Sequence, residues 1–140
     1  MKIVALDIGD KWTGMAISDA LQMLARPLKT VNTYDLEHAI SQLIDHENIQ
    51  TFVVGFPKTM RGTESEQTKK LRFHFEKLKL HFASYEWALW DERLTSKQAA
   101  KIKPAKSPED KRESHSIAAA LILGSYLEHC RIDKEENPVL

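Results

Sequence analysis

Two short apolar runs constrain this chain more than anything else in it. They are Ile3-Val4-Ala5-Leu6 near the start and Thr51-Phe52-Val53-Val54 near the middle. The second is rich in β-branched and aromatic residues and is closed by Gly55 and Pro57. Unbroken apolar runs of this length suit strands covered on both faces, so the chain needs helices above and below a sheet. The first run ends on a charge, Asp7, followed by Gly9 and Gly14. A carboxylate at the tip of a buried strand is costly unless something pairs with it. Asp7 therefore either caps a turn or holds a cation or a phosphate.

The other segments complete the sheet. Thr13 to Ser18 reads as a second strand, joined to the first by a Gly9-Asp10-Lys11 turn short enough for a hairpin. Arg26 to Val31 is a third strand, with Pro27 near its start. Asp35 is placed to N-cap a helix with Leu36, Ile40, Leu43 and Ile44 on one face. Thr63 with Glu66 has the spacing of a capping box, ahead of an apolar stripe of Leu71, Phe75 and Leu78. Tyr85 to Trp90 is the last strand, and Thr95 with Gln98 has the same capping-box spacing. Ser107-Pro108-Glu109-Asp110 starts a helix that either runs through SHSIAAALILGSYLEHC or restarts at Ser114. Its triple alanine suits close approach to a sheet. The order predicts an α/β fold: a mixed five-stranded sheet, antiparallel over its first three strands, with helices on both faces. A single domain over 1–140 is expected, with 131–140 as a flexible tail.

Composition mainly excludes. A chain of 140 residues supplies a core without staples, and its single cysteine, Cys130, forbids an internal disulfide. Lys2 and Asp7 interrupt the N-terminus too early for a signal-peptide core, and no run approaches membrane-spanning length. A cytoplasmic location follows as an expectation. Lys plus Arg equals Asp plus Glu, 20 each, yet the charges are unevenly placed. From Asn32 to Gly55 there is no Lys or Arg. Basic residues gather instead at Lys58, Arg61, Lys69, Lys70 and Arg72, and again at Arg93, Lys97, Lys101, Lys103, Lys106, Lys111 and Arg112. Alone, such groups describe solvated faces.

By the two-residue strand period, Asp7 shares a face with Ile3 and Ala5, and Glu92 one with Glu86, Ala88 and Trp90. If the first and last strands are parallel neighbours, Asp7 and Glu92 converge at one end of the sheet. Paired carboxylates repel unless a proton or cation lies between them, and oxygen ligands with a divalent cation are the usual solution. Gly9 and Gly14 read as permitting tight turns. Asp19 reads as a turn-maker, Asp91 as structural, and Trp87 and Trp90 as core residues on opposite strand faces. His38, His46, His74, His81 and His129 show no ligand spacing with acids.

Four blocks in order, MKIVALDIGDKWTGMAISD, VVGFPKTMRGTE, WDERLTS and HSIAAALILGSYL, resemble the YqgF/RuvX-type family over essentially the whole chain. That family has an RNase H-like fold, and its members are described as Holliday junction resolvases or pre-16S rRNA nucleases. The resemblance implies that Asp7 is the first catalytic acid and Glu92 the second. A third acid is expected just before SIAAALIL, where this chain has His115. Thr59 and Arg61 likewise replace the usual Asn and Asp of the family's loop. Neutral imidazole binds Mn²⁺ or Zn²⁺ acceptably whereas Mg²⁺ prefers oxygen, and histidine occupies the equivalent place in some RuvC-like relatives. His115 then acts as ligand or as general base. Glu113 is the alternative, but on a helix it points roughly 200° away from His115.

The expectation is a nuclease whose divalent Mg²⁺ or Mn²⁺ is held by Asp7, Glu92 and His115. Lys58, Arg61, Arg93, Lys106, Lys111 and Arg112 are the expected nucleic-acid-binding residues, since lysines and arginines meet phosphate backbones without reading sequence. The substrate expected from the resemblance is the 5′ end of precursor 16S rRNA, with branched junction DNA as the alternative, acted on by a monomer or a homodimer. Two competing readings remain. DIGDKWTG is also similar to the first phosphate loop of actin-like ATPases. His115 and the zero net charge would equally suit an inactive nucleic-acid-binding protein of the same fold.

Overall fold

The computed structural model describes residues 1–56, 65–91 and 108–136, and of 108–113 and 134–136 the backbone only. The elements are β1 (Lys2–Ile8), β2 (Trp12–Ser18), β3 (Ala25–Asn32), a 3-10 turn (Thr33–Asp35), α1 (Leu36–His46), β4 (Ile49–Phe56), α2 (Glu66–His81), β5 (Glu86–Asp91) and α3 (Pro108–Glu136). The five strands form one sheet in the order β3-β2-β1-β4-β5. β1 pairs antiparallel with β2, and β2 with β3, while β4 runs parallel to both β1 and β5. This is the mixed α/β arrangement the sequence implies.

Strand alternation sorts the core into two layers. Val4, Leu6, Met15, Ile17, Phe52 and Val54 face α1 and α2, where Leu36, Ala39, Ile40, Leu71, Phe75 and Leu78 cover them. Ile3, Ala5, Ala16 and Val53 face the other way, against Ala119, Ile122, Leu123 and Leu127 of α3. Both central runs are therefore buried on two faces, which is why they lack polar alternation. Trp87 stacks on Phe52 in the first layer, with centroids 4.7 Å apart, and Trp90 meets Tyr126 edge-on in the second. The two tryptophans are core residues on opposite faces, as expected.

Four local expectations need correction. Asp35 stands at the N-cap position of α1 without a side-chain cap bond; Asn32 caps the preceding 3-10 turn, accepting from the Tyr34 amide. That turn satisfies the helix entry first and displaces the capping role by three residues. For α2 the cap is Ser65, whose Oγ accepts from the Thr68 amide at 3.2 Å, and Glu66 is the first helical residue. Ser65 sits nearer the helix start than Thr63, which with Thr95, Gln98 and Ser107 lies outside the described residues. Third, of the two courses open to the last helix, α3 takes the continuous one, and it runs to Glu136, into residues expected as tail. Its last turns carry a His129–Asp133 pair at i,i+4 spacing, 3.5 Å apart. Finally, β1 and β5 are parallel but not neighbours, because β4 lies between them.

Asp19 makes its turn as expected. Its Oδ1 accepts from the Met23 and Leu24 amides at 2.8 and 2.9 Å, and those bonds hold its carboxyl below the ordinary carboxylate value.

A candidate active site at the end of the first strand

Asp7 is the sixth residue of the alternating strand β1, two and four positions after Ala5 and Ile3, so it falls with them on the α3 face. The apolar layer on that face stops one residue pair short of the strand end, and His115 comes down from α3 into the gap. His115 Nδ1 lies 3.1 Å from Asp7 Oδ2. Against an ionised carboxylate only Nδ1–H can be the donor, so Asp7 fixes both the tautomer and the plane of the ring. The two side chains are 20% and 32% exposed, enough for a ligand to reach them from the sheet edge. The hydrogen bond it donates to Asp7 raises the His115 pKa above its ordinary value, against an opposing effect of burial.

Glycines set the depth of this site. Gly14 is paired with Asp7 across the hairpin, and a Cβ there would collide with the backbone carbonyl of His115. The expected turn-making role is therefore wrong for Gly14. It lies inside β2 and is glycine because the α3 backbone passes directly over it. Gly9 does belong to the turn, its amide bonding to the Trp12 carbonyl at 2.9 Å. A Cβ on Gly9 would also stand 3.3 Å from His115 Cε1 and 2.7 Å from the Trp12 carbonyl oxygen.

Sequence reasoning missed Thr13 and Thr33. Both are buried, and their hydroxyls form a chain that ends on the Gly9 carbonyl, with links of 2.9 and 2.8 Å. The Thr33 amide also bonds to the Lys11 carbonyl at 2.9 Å. Residue 33 thus holds the 9–12 turn beside the Asp7 strand end. No local pattern announces it, since the partners are some twenty residues apart.

The end of β5 reaches the same edge of the sheet. Leu6 is aligned with Val54 and Val54 with Leu89, so Asp7, Gly55 and Trp90 follow on one row. Two strand spacings separate β1 from β5, about 10 Å. Glu92 is the next residue after β5, but it lies outside the described residues, as do Lys58, Arg61, Arg93 and Lys106. Lys111 and Arg112 are on α3, four and three residues before His115, so their backbone positions are one helical turn away.

The donor set fits a divalent cation. A carboxylate oxygen and an imidazole nitrogen are both donors that a divalent cation would accept, the oxygen suiting Mg²⁺ and the nitrogen Mn²⁺. Among the described residues no group of three or more His, Cys, Asp or Glu gathers for a metal. Also among the described residues, no helix is long and apolar enough to cross a membrane.

A family model described as "RuvX: Holliday junction resolvase" matches residues 1–129. A protein of Thermoanaerobacter pseudethanolicus named "Putative pre-16S rRNA nuclease" is 40% identical, the match covering 91% of this chain and 96% of that protein. A protein of the same name from Rubrobacter xylanophilus is 34% identical, covering 91% and 92%. Among solved structures, Thermus thermophilus RuvC in complex with a Holliday junction substrate superposes with a TM-score of 0.63 at 14% identity, over 94% of this chain and 96% of that one. The fold is RNase H-like.

Proposed function

The chain belongs to the RuvX family, and we propose that it is a metal-dependent nuclease that hydrolyses phosphodiester bonds at the Asp7–His115 edge of its sheet. The observation that carries this is the 3.1 Å contact between Asp7 and His115, a carboxylate and an imidazole brought together from opposite ends of the chain. Glu92 is the third member of the site in this reading. A bound Mg²⁺ or Mn²⁺ supplies an activated water and neutralises charge on the leaving oxygen.

The chain's own groups do the positioning. Asp7 offers the oxygen donor that hard cations favour. His115 has two roles open to it: ligand, which through Nδ1 would require giving up the proton it shares with Asp7, or general base through Nε2 while Nδ1 keeps that bond. A ligand role favours Mn²⁺ over Mg²⁺, because imidazole is a poor partner for magnesium. Lys58, Arg61, Arg93, Lys106, Lys111 and Arg112 are the basic residues that this reading assigns to the phosphate backbone.

The substrate in this reading is the 5′ end of precursor 16S rRNA, supported by the names of relatives up to 40% identical across nearly their whole length. The description of the family as Holliday junction resolvases supports a second reading, branched DNA. Side-by-side cleavage of a precursor 16S fragment and a four-way DNA junction, in Mg²⁺ and in Mn²⁺, separates them. Faster cutting of the rRNA upholds the first reading, and faster cutting of the junction replaces it with the second. An intact pair of substrates overturns the nuclease reading in favour of a binding protein of the same fold.

A further inference from the structure

On the far side of the 9–11 turn from His115 lies an open cleft of about 320 Å³, lined by Asp10, Thr33, Tyr34, Lys70 and His74. Its volume is at the small end of the range for ligand sites, suited to one planar group and too small for a duplex. The cleft and the Asp7–His115 pair share a wall. A Cβ on Gly9 would stand 3.3 Å from His115 Cε1, and Thr33, which lines the cleft with Asp10, is bonded to the Gly9 carbonyl.

The lining has an unusual composition for a surface hollow. Tyr34 is 95% exposed, although its backbone is pinned in a capped 3-10 turn through Asn32. A large aromatic ring left in solvent on a fixed backbone is a stacking surface with little ordering cost. Lys70 reaches into the same space from α2, with its ammonium 4.0 Å from Asp10, too far for a tight pair. His74 is partly buried, and desolvation together with the Lys77 charge lowers its pKa, so at neutral pH it offers one donor and one acceptor. Aromatic face, cation and neutral hydrogen-bonding edge are the three elements by which proteins hold an unpaired nucleotide.

We infer that this cleft receives an unpaired nucleotide of the substrate flanking the bond cut at Asp7 and His115, with its base stacked on Tyr34, its edge at His74 and its phosphate at Lys70. The inference rests on the nuclease reading and narrows it to substrates with a single-stranded flank beside the scissile phosphate.

The test compares two fluorescent RNA probes by anisotropy in EDTA: a blunt hairpin, and the same hairpin with a single-stranded extension. The wild type is expected to prefer the extended probe. In Tyr34→Ala the ratio of the two affinities falls about tenfold, within the worth of one stacked base, and Tyr34→Trp restores it. Lys70→Ala lowers the salt slope of extended-probe binding by about one. A ratio unchanged in Tyr34→Ala, or a wild type with no preference while it still cleaves precursor rRNA, overturns the cleft and leaves the nuclease reading standing. A wild type that neither binds either probe nor cleaves the precursor in Mg²⁺ or Mn²⁺ overturns both.

Discussion

His115 Nδ1 stands 3.1 Å from Asp7 Oδ2, although 108 positions separate the two residues in the chain. The contact exists because β1 delivers a carboxylate on its α3 face and α3 lies close enough over Gly14 to deliver an imidazole. Its first consequence is a titration. In the metal-free protein, His115 titrates above its ordinary value, chiefly through the Asp7 hydrogen bond. A folded-state pKa above the unfolded one means that stabilisation is fully present below the unfolded value of 6.5 and is lost as pH rises through the folded value. Removing the carboxylate with Asp7→Asn leaves burial acting alone, so the His115 pKa drops. Histidine ring NMR against pH checks this, and an unmoved pKa in the variant contradicts it.

Substitutions at Gly14 and Gly124 behave oppositely. Gly14→Ala forces a methyl into the His115 backbone and costs about 1–3 kcal/mol of stability, with α3 displaced. Gly124→Ala meets nothing within 4 Å in the middle of α3 and stabilises by about 0.5–1 kcal/mol through helix propensity. Urea unfolding midpoints are the measurement. Equal effects at the two positions contradict the packing of α3 on β2.

Thr33→Val keeps the shape but ends the hydroxyl chain to the Gly9 carbonyl. It leaves the buried Thr13 hydroxyl without its partner, and a loss of about 1–3 kcal/mol is expected. Amide exchange at Gly9 and Trp12 should quicken in the variant. Unchanged exchange and stability contradict the view that residue 33 holds this turn.

Asp19 supplies the acid-side counterpart. Backbone amides of Leu24 and Met23 lower its pKa, so its stabilisation is present above the ordinary value of 3.8 and is lost as pH falls through the lower folded value. The Met23 and Leu24 amide resonances are expected to titrate with Asp19 below that value. Resonances that stay flat through this range, or that titrate at or above 3.8, contradict the turn.

The sheet was legible because burial on both faces leaves its mark on every residue of a strand, as in Ile3 to Leu6 and Phe52 to Val54. Asp7 was legible for the same reason, as the acid that closes the apolar run Ile3 to Leu6. His115 could be placed at the site only through its motif, since nothing local separates it from a surface histidine. Gly14 was misread because a helix passing over a strand has no signature in neighbouring residues. The Thr13–Thr33 chain was missed on the same ground. Tyr34 was silent too: its exposure depends on a 3-10 turn whose cap, Asn32, competes with the more obvious Asp35.

The most direct measurement is the rate at which wild type and Asp7→Asn cleave a precursor 16S rRNA 5′ fragment in Mg²⁺ and Mn²⁺. The account predicts cleavage by the wild type, faster in Mn²⁺ if His115 is a ligand, and a loss of at least about a hundredfold in the variant. Equal rates for the two proteins would place the chemistry elsewhere than at Asp7 and His115.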